Sequence, residues 1–193
     1  IRFNKNPKKE VTFILDSNPN YTNVCNADCT FCAFYRKKRA VDSYTKNVEQ
    51  VMEHFELARQ AGLTQVLLQG GLNDDLPLSY YVDLIRTAVR RYPDVHLHGF
   101  SAPEIWNIAR IENISIHAVL QSLFDAGLTT IPGGGAEILS EKVRKRISPK
   151  KMGPGVWIAV HRAAHQIGFK TTATMMYGHV EEPEDIVEHL DIL

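Results

Sequence analysis

Short apolar runs alternate along this chain with longer stretches in which apolar residues recur every three or four positions. The first run, residues 11–15 (V-T-F-I-L), is β-rich and reads as a buried strand. Turn formers and Pro19 follow. Over residues 46–61, Val48, Val51, Met52, Phe55 and Ala58 fall on one helical face, and Gly62 stands where a helix end favours a left-handed residue. Residues 65–69 (Q-V-L-L-Q) predict a strand ending at Gly70-Gly71. Tyr81, Leu84, Ile85 and Ala88 predict a helix, Pro93 lies beyond it, and residues 95–100 form a short strand. Pro103 opens the next helix at a favoured early position. Ile116, Val119, Leu120, Leu123 and Phe124 make another, ending at Gly127.

Residues 129–132 then form a strand that runs into Gly133-Gly134-Gly135. Residues 137–147 are helical, and Pro149, Gly153 and Pro154 break the chain. Trp157, Val160, Ala164 and Ile167 make a helix face closed by Gly168; residues 171–177 form a strand ending at Gly178; Pro183 starts a helix carrying Ile186, Val187 and Leu190. Strand and helix thus alternate about five times. One junction repeats at residues 61–64, 126–129 and 167–170: helix end, glycine, strand. The pattern is that of one parallel α/β domain. Unusual residues collect after the strands, where parallel α/β proteins build their sites.

Composition narrows the function. Lys+Arg and Asp+Glu both count 22, so the formal charge is zero, which removes the basic excess expected of a nucleic-acid or membrane-surface binder. No apolar run approaches the roughly 20 residues of a membrane span, and no signal peptide is recognisable. The three cysteines cluster within eight residues, a poor disulfide framework but a good metal motif in a reducing compartment, so a cytoplasmic protein is expected. The chain starts at Ile1 without a methionine and stops within an apparent helix, so a fragment of a longer chain is expected.

The cysteines read C-x3-C-x2-C: Cys25, Cys29 and Cys32. Three thiolates cannot close a four-ligand shell, so one metal corner stays open. A zinc site completed by a distant residue such as His98, or three unrelated core cysteines, are the alternatives. The spacing also suits one face of a helix, though the turn-rich segment before it favours a loop.

After a first strand, this motif resembles the cluster motif of the radical S-adenosylmethionine (radical SAM) superfamily. The resemblance implies a partial (β/α) TIM-type barrel, truncated here at about five units, and a radical SAM core domain over residues 1–193. It implies a [4Fe-4S] cluster on Cys25, Cys29 and Cys32, with the amino and carboxylate groups of S-adenosyl-L-methionine on the fourth iron. Reductive cleavage of SAM would release a 5′-deoxyadenosyl radical, with electrons from a donor such as flavodoxin or ferredoxin. Residues 20–25 (N-Y-T-N-V-C), 32–36 (C-A-F-Y-R), 100–105 (F-S-A-P-E-I), 131–138 (I-P-G-G-G-A-E-I), 146–149 (R-I-S-P) and 172–179 (T-A-T-M-M-Y-G-H) together resemble the dehypoxanthine futalosine cyclases of menaquinone biosynthesis. The implied substrate is dehypoxanthine futalosine. Aminofutalosine synthases and FO synthase subunits share the cysteine motif and parts of the glycine loop. A non-catalytic iron–sulfur or zinc module is the reading from another class.

Residue roles follow partly from the same resemblance, for Phe31, Gly70 and Gly71, and otherwise from side-chain and backbone chemistry. Phe31 would lie by the adenine, or only pack the loop. Gly70 and Gly71 stand where many members carry Gly-Gly-Glu; Leu72 replaces the glutamate, leaving backbone carbonyls for the SAM ammonium. Ser101 and Glu104 are candidates at the third strand end. Gly134 lies in a glycine run that permits close backbone approach and lacks a Walker lysine. Glu137 would accept from the ribose, or sit at a helix start facing the macrodipole. Arg144 and Arg146 suit a carboxylate, or form a solvated face. His98 and His179 lie nearest strand ends and suit substrate positioning or proton transfer. His96, two residues from His98, would share its face.

Overall fold

The structure is a computed structural model and describes Val11 and residues 13–193. Five parallel strands lie in sequential order: β1 (Asp16–Ser17), β2 (Gln65–Leu68), β3 (His96–Gly99), β4 (Thr130–Ile131) and β5 (Lys170–Thr171). Sequential parallel order requires each connection to cross back over the sheet, and the helices make those crossings. They are α1 (Val48–Gln60), α2 (Leu78–Arg91), α3 (Ala102–Glu112), α4 (Ile116–Asp125), α5 (Glu141–Ile147), α6 (Pro154–Ile167) and α7 (Pro183–Ile192). Among the described residues, no helix is long and apolar enough to cross a membrane.

The period-2 alternation of the strands sorts the two faces of the sheet. Val66, Leu68, Leu97 and Ile131 point to the helices and join one core with Phe55, Leu84, Ile105 and Leu123. Gln65, Leu67, His96, His98, Thr130 and Lys170 occupy the alternate positions, and none of them is buried. The helix-free face is therefore largely polar.

Local chemistry sets the element ends. Asn47 and Gln50 form a reciprocal capping box at α1, and Gly168 closes α6 at φ 118°. Ser101 and Glu104 form the box of α3, with Pro103 in its first turn.

Three predicted elements are corrected. Val11 and residues 13–15 are not a buried strand: Val11, Phe13, Ile14 and Leu15 are exposed, and among the described residues the strand ladder begins at Asp16 opposite Gln65. Thr12 and residues 1–10, with Lys5, Lys8 and Lys9, lie outside the described residues. The predicted helix 137–147 starts only at Glu141, because Gly135 (φ 81°) and Glu137 (φ 43°) are left-handed. The predicted strand 171–177 pairs only through Thr171. Thr172 then turns to the glycine loop, its Oγ1 accepting from Gly133 N (2.9 Å), and Thr174 Oγ1 donates to Gly133 O (2.7 Å).

Candidate active site

The cysteine loop is irregular, as the turn formers imply, and is closed by backbone bonds. Val24 bridges Arg36, Cys25 N donates to Arg36 O (3.0 Å), and Arg36 N donates to Asn23 O (2.7 Å). Asn26 N reaches Leu72 O (3.1 Å), tying the loop to the end of β2. Thr30 N reaches Ile147 O (2.9 Å), tying it to the end of α5. Ala27, Cys29 and Leu72 form a small core of their own, against which Cys25 and Cys32 pack. The basic run beside the loop is solvent-facing: Arg36 pairs with Asp42 and Lys38 with Asp75.

The three thiols line one cavity of about 470 Å³, together with Phe31, Gln69, Gly70, Gly71, Ser101, Glu104 and Lys151. All three cysteines are free thiols, Cys29 buried and the others half-buried. Burial pushes the Cys29 thiol up to about 11, and the charge of Lys151 opposes that rise.

Beneath the cavity sits Glu104, fully enclosed. Its Oε1 accepts from Tyr21 Oη (2.6 Å) and Gly70 N (3.0 Å), and its Oε2 from Ser101 N (2.8 Å) and Ser101 Oγ (2.5 Å). Burial raises its pKa, and the four donors counter the rise. One carboxylate thus joins the chain before the cysteines, the β2 end and the β3 end. The glycines fit the same joint. A Cβ at Gly70 would lie 2.5 Å from the Tyr21 ring, and one at Gly71 would lie 2.2 Å from Val24 O. These positions let loop pack on loop, and Gly71 also brings backbone against Cys25.

The glycine loop is held from behind. Arg144 is buried at 3% side-chain exposure and donates to the carbonyls of Gly135 (2.8 Å), Ala136 (2.7 Å) and Met152 (2.6 Å). Glu137 is also buried, 3.4 Å from Arg144 and 2.8 Å from Lys151 Nζ. Lys151 reaches forward to the cavity, its Nζ 5.6 Å from the Phe31 ring centroid. Burial alone would lower the Lys151 pKa, but Glu137 and Cys29 outweigh it and raise it. An ammonium has three donors, and Glu137 is the hydrogen-bond partner described for it.

The predicted residues therefore divide. Cys25, Cys29, Cys32, Phe31, Gly70, Gly71 and Ser101 line the cavity. Gly134 and Glu137 stand just behind it: a Cβ on Gly134 would meet Gln69 Nε2 at 2.6 Å. Arg144 is not in the cavity lining, and its bonds go to loop carbonyls. Arg146 is exposed and approaches Val180 O (3.4 Å) away from the cavity. His179 folds into its own turn, Nε2 on Met176 O (3.0 Å), its backbone N on Glu181. His98 lies on the helix-free face of β3, Nδ1 on Thr130 Oγ1 (2.8 Å), and is not part of the cavity wall. Sequence reasoning gave no role to Tyr21 or Lys151. Tyr21 carried a signal within the N-Y-T-N-V-C stretch. Lys151 carried none, lying in a Pro- and Gly-rich break.

The donor set suits a polynuclear cluster. Among the described residues, no three His, Cys, Asp or Glu side chains converge on one ion-sized point. Zinc needs such convergence, and His98 is not at hand to complete it. A cubane presents each thiolate with a different iron, so three thiols lining one cavity fit it, with the Gly70 and Gly71 backbone in the same lining for the ligand of the remaining corner.

Comparison with known proteins agrees with this geometry. The chain is 43% identical over 183 residues to 5-amino-6-(D-ribitylamino)uracil–L-tyrosine 4-hydroxyphenyl transferase of Methanothermobacter thermautotrophicus, covering 95% of this chain and 50% of that protein. It is 40% identical over 184 residues to cyclic dehypoxanthine futalosine synthase of Halalkalibacterium halodurans, again 95% and 50%. It is 42% identical over 184 residues to FO synthase of Mycobacterium tuberculosis (strain ATCC 25618 / H37Rv), covering 95% of this chain and 22% of that one. The chain therefore spans half or less of these relatives' lengths. In fold it is similar to methylornithine synthase, with a TM-score of 0.73 at 14% identity over 92% of this chain and 49% of that one. The family model described as the radical SAM superfamily matches residues 19–193, and the chain belongs to that superfamily.

Proposed function

We propose that residues 1–193 act as a radical SAM core domain in converting dehypoxanthine futalosine to cyclic dehypoxanthinyl futalosine. One observation carries this reading. Three of the six stretches that resemble the cyclases line the cavity: Asn20, Thr22 and Asn23 before the cysteines, Phe34 and Tyr35 after them, and Ser101 with Glu104. The 40% identity to a cyclic dehypoxanthine futalosine synthase supports it.

Cys25, Cys29 and Cys32 would hold a [4Fe-4S] cluster. When bound and reduced by a donor such as flavodoxin or ferredoxin, that cluster supplies the electron that splits SAM to a 5′-deoxyadenosyl radical. The chain's own residues bind and orient. Gly70 and Gly71, which line the cavity, offer backbone carbonyls to the SAM ammonium. Lys151 offers spare N–H donors to its carboxylate, the task first expected of Arg144 and Arg146. Phe31 flanks the cavity where the adenine would lie and shields it from water. Glu104 holds the β2 and β3 ends in register so that these groups face one point.

A second reading is deazaflavin chemistry, favoured by the 42% and 43% identities to FO synthase and to the 4-hydroxyphenyl transferase. The test is anaerobic reconstitution of the full-length protein, followed by parallel reactions with SAM and dehypoxanthine futalosine, or SAM, L-tyrosine and 5-amino-6-(D-ribitylamino)uracil. The cyclase reading requires the cyclic product in the first reaction. Product in the second alone establishes the other. SAM cleavage without product in either overturns both.

A further inference from the structure

The helix-free face of the sheet carries an arrangement that the cavity does not use. His96 and His98 stand two residues apart on β3, their rings stacked at 6.3 Å between centroids. Both reach one hydroxyl: His96 Nε2 and His98 Nδ1 each lie 2.8 Å from Thr130 Oγ1. The same hydroxyl lies 3.4 Å from Leu97 O.

Counting protons selects the one arrangement that satisfies every contact. A threonine hydroxyl has one hydrogen and two lone pairs, and a carbonyl only accepts. All three contacts are satisfied together only when Thr130 donates to Leu97 O and both imidazoles donate to Thr130. His96 then carries its proton on Nε2 and His98 on Nδ1. Each neutral ring is left with one bare nitrogen, Nδ1 of His96 and Nε2 of His98. Among the described residues, neither nitrogen has a partner, and neither is buried.

The position matters as much as the chemistry. His98 pairs with Leu67, and Gln69, two residues further on and just past the end of β2, lines the cysteine cavity. The step of two residues is about 7 Å along a strand. A ligand that starts at the cavity and extends down this face passes Gln69 and then meets the histidine pair.

We propose that His96 and His98, set by Thr130, accept hydrogen bonds from neighbouring hydroxyls on the sugar or polyol part of the substrate. Dehypoxanthine futalosine carries a ribosyl group, and 5-amino-6-(D-ribitylamino)uracil a ribityl chain. The proposal rests on the preceding section only for the ligand's identity; hydroxyl recognition follows from the bare nitrogens. Asp16 and Lys170 lie on the same face beside the pair and supply the nearest charges.

The test uses the full-length protein, reconstituted and labelled with 15N-histidine. In the free protein, NMR should find His98 protonated on Nδ1 and His96 on Nε2; the opposite tautomers overturn the proposal. Dehypoxanthine futalosine, 5-amino-6-(D-ribitylamino)uracil, D-ribitol and SAM are then titrated separately. A shift of both bare nitrogens with either substrate, or with millimolar D-ribitol where neither substrate binds, supports it. That last arm separates failure of the functional reading from failure of this one. No shift with any polyol, or a shift with SAM alone, overturns it. By calorimetry, His98→Leu and the near-isosteric Thr130→Val should each weaken the bound polyol about tenfold with SAM affinity unchanged. Equal loss of both ligands marks a merely structural role and overturns it.

Discussion

Two loops border the cavity, and both look functional in the sequence. The cysteine loop makes its closing bonds with backbone, Cys25 to Arg36 and Asn26 to Leu72, and leaves its three thiols to the cavity. The glycine loop, residues 133–137, does the opposite. Its charged side chain Glu137 is spent on Arg144 and Lys151, and its carbonyls on Arg144. A loop held by its backbone keeps its side chains for chemistry. A loop without side chains must borrow them, and here α5 lends Arg144 as the prop.

The contrast is sharpest when each loop loses its central group. Cys29→Ala should remove cluster binding and all SAM cleavage while the fold survives, since a small buried thiol gives way to a small buried methyl. Iron content, the visible absorption of the reconstituted protein and circular dichroism check it. Arg144→Met should do the reverse. It leaves three loop carbonyls without their donor while Glu137 keeps Lys151, and a buried acceptor left unpaired costs about 1–3 kcal/mol each. Chemical denaturation should show that loss. An Arg144→Met protein of normal stability and abolished SAM binding would return Arg144 to the ligand side.

This difference also marks how much was legible beforehand. The strand–helix order was legible, because the helix-end glycine repeats before β2, β4 and β5 and apolar positions such as Tyr81, Leu84, Ile85 and Ala88 are the buried ones. Residues 11–15 misled, because apolar composition carries no information on where a hydrogen-bonded neighbour begins. The cysteines were legible because their spacing is itself the chemistry. Arg144 and Arg146 are two residues apart on one helix and equal in charge, yet one is buried and one exposed. Which is which depends on how the glycine loop folds back over α5, a tertiary fact. His98 and His179 looked alike as strand-end histidines and differ for the same reason.

Glycine substitutions refine the comparison at a smaller scale. At Gly70 a methyl would meet a fully buried aromatic ring, Tyr21, that itself holds Glu104. That ring has nowhere to go, so Gly70→Ala should cost about 1–3 kcal/mol and loosen the cysteine side. At Gly134 the methyl would meet the end of Gln69, a flexible side chain that can swing into the cavity. Gly134→Ala should therefore leave the melting temperature nearly unchanged and weaken SAM binding instead. Paired thermal melts and SAM titrations decide it; equal destabilisation by both would erase the distinction between the loops.

The smallest expected effect concerns how α7 reaches the far side of the glycine loop. Asp185 accepts from Ser140 Oγ (2.6 Å) and pairs with Lys142 (3.0 Å), while the buried His189 accepts from Leu139 N (3.0 Å). The Ser140 hydroxyl first, then the Glu182 backbone N–H and Lys142, hold the Asp185 carboxyl at about 2. A carboxylate depressed in the fold stabilises it above its unfolded value of about 3.9, and the benefit fades as pH falls toward 2. His189 is shifted down by burial, so it contributes in a higher window: below its unfolded value of about 6.5, charging it disfavours the fold. The protection of α7 amides, relative to their intrinsic exchange at each pH, should therefore fall between pH 4 and 2 in the wild type through Asp185. In Asp185→Asn that step should vanish, while any loosening between pH 6.5 and 4 through His189 persists. The cysteine loop, which shares no bond with Asp185, should keep its protection factors across the acid step in both proteins. If it loosens in concert, the two loops form one cooperative unit and the contrast between them holds only for ligand binding.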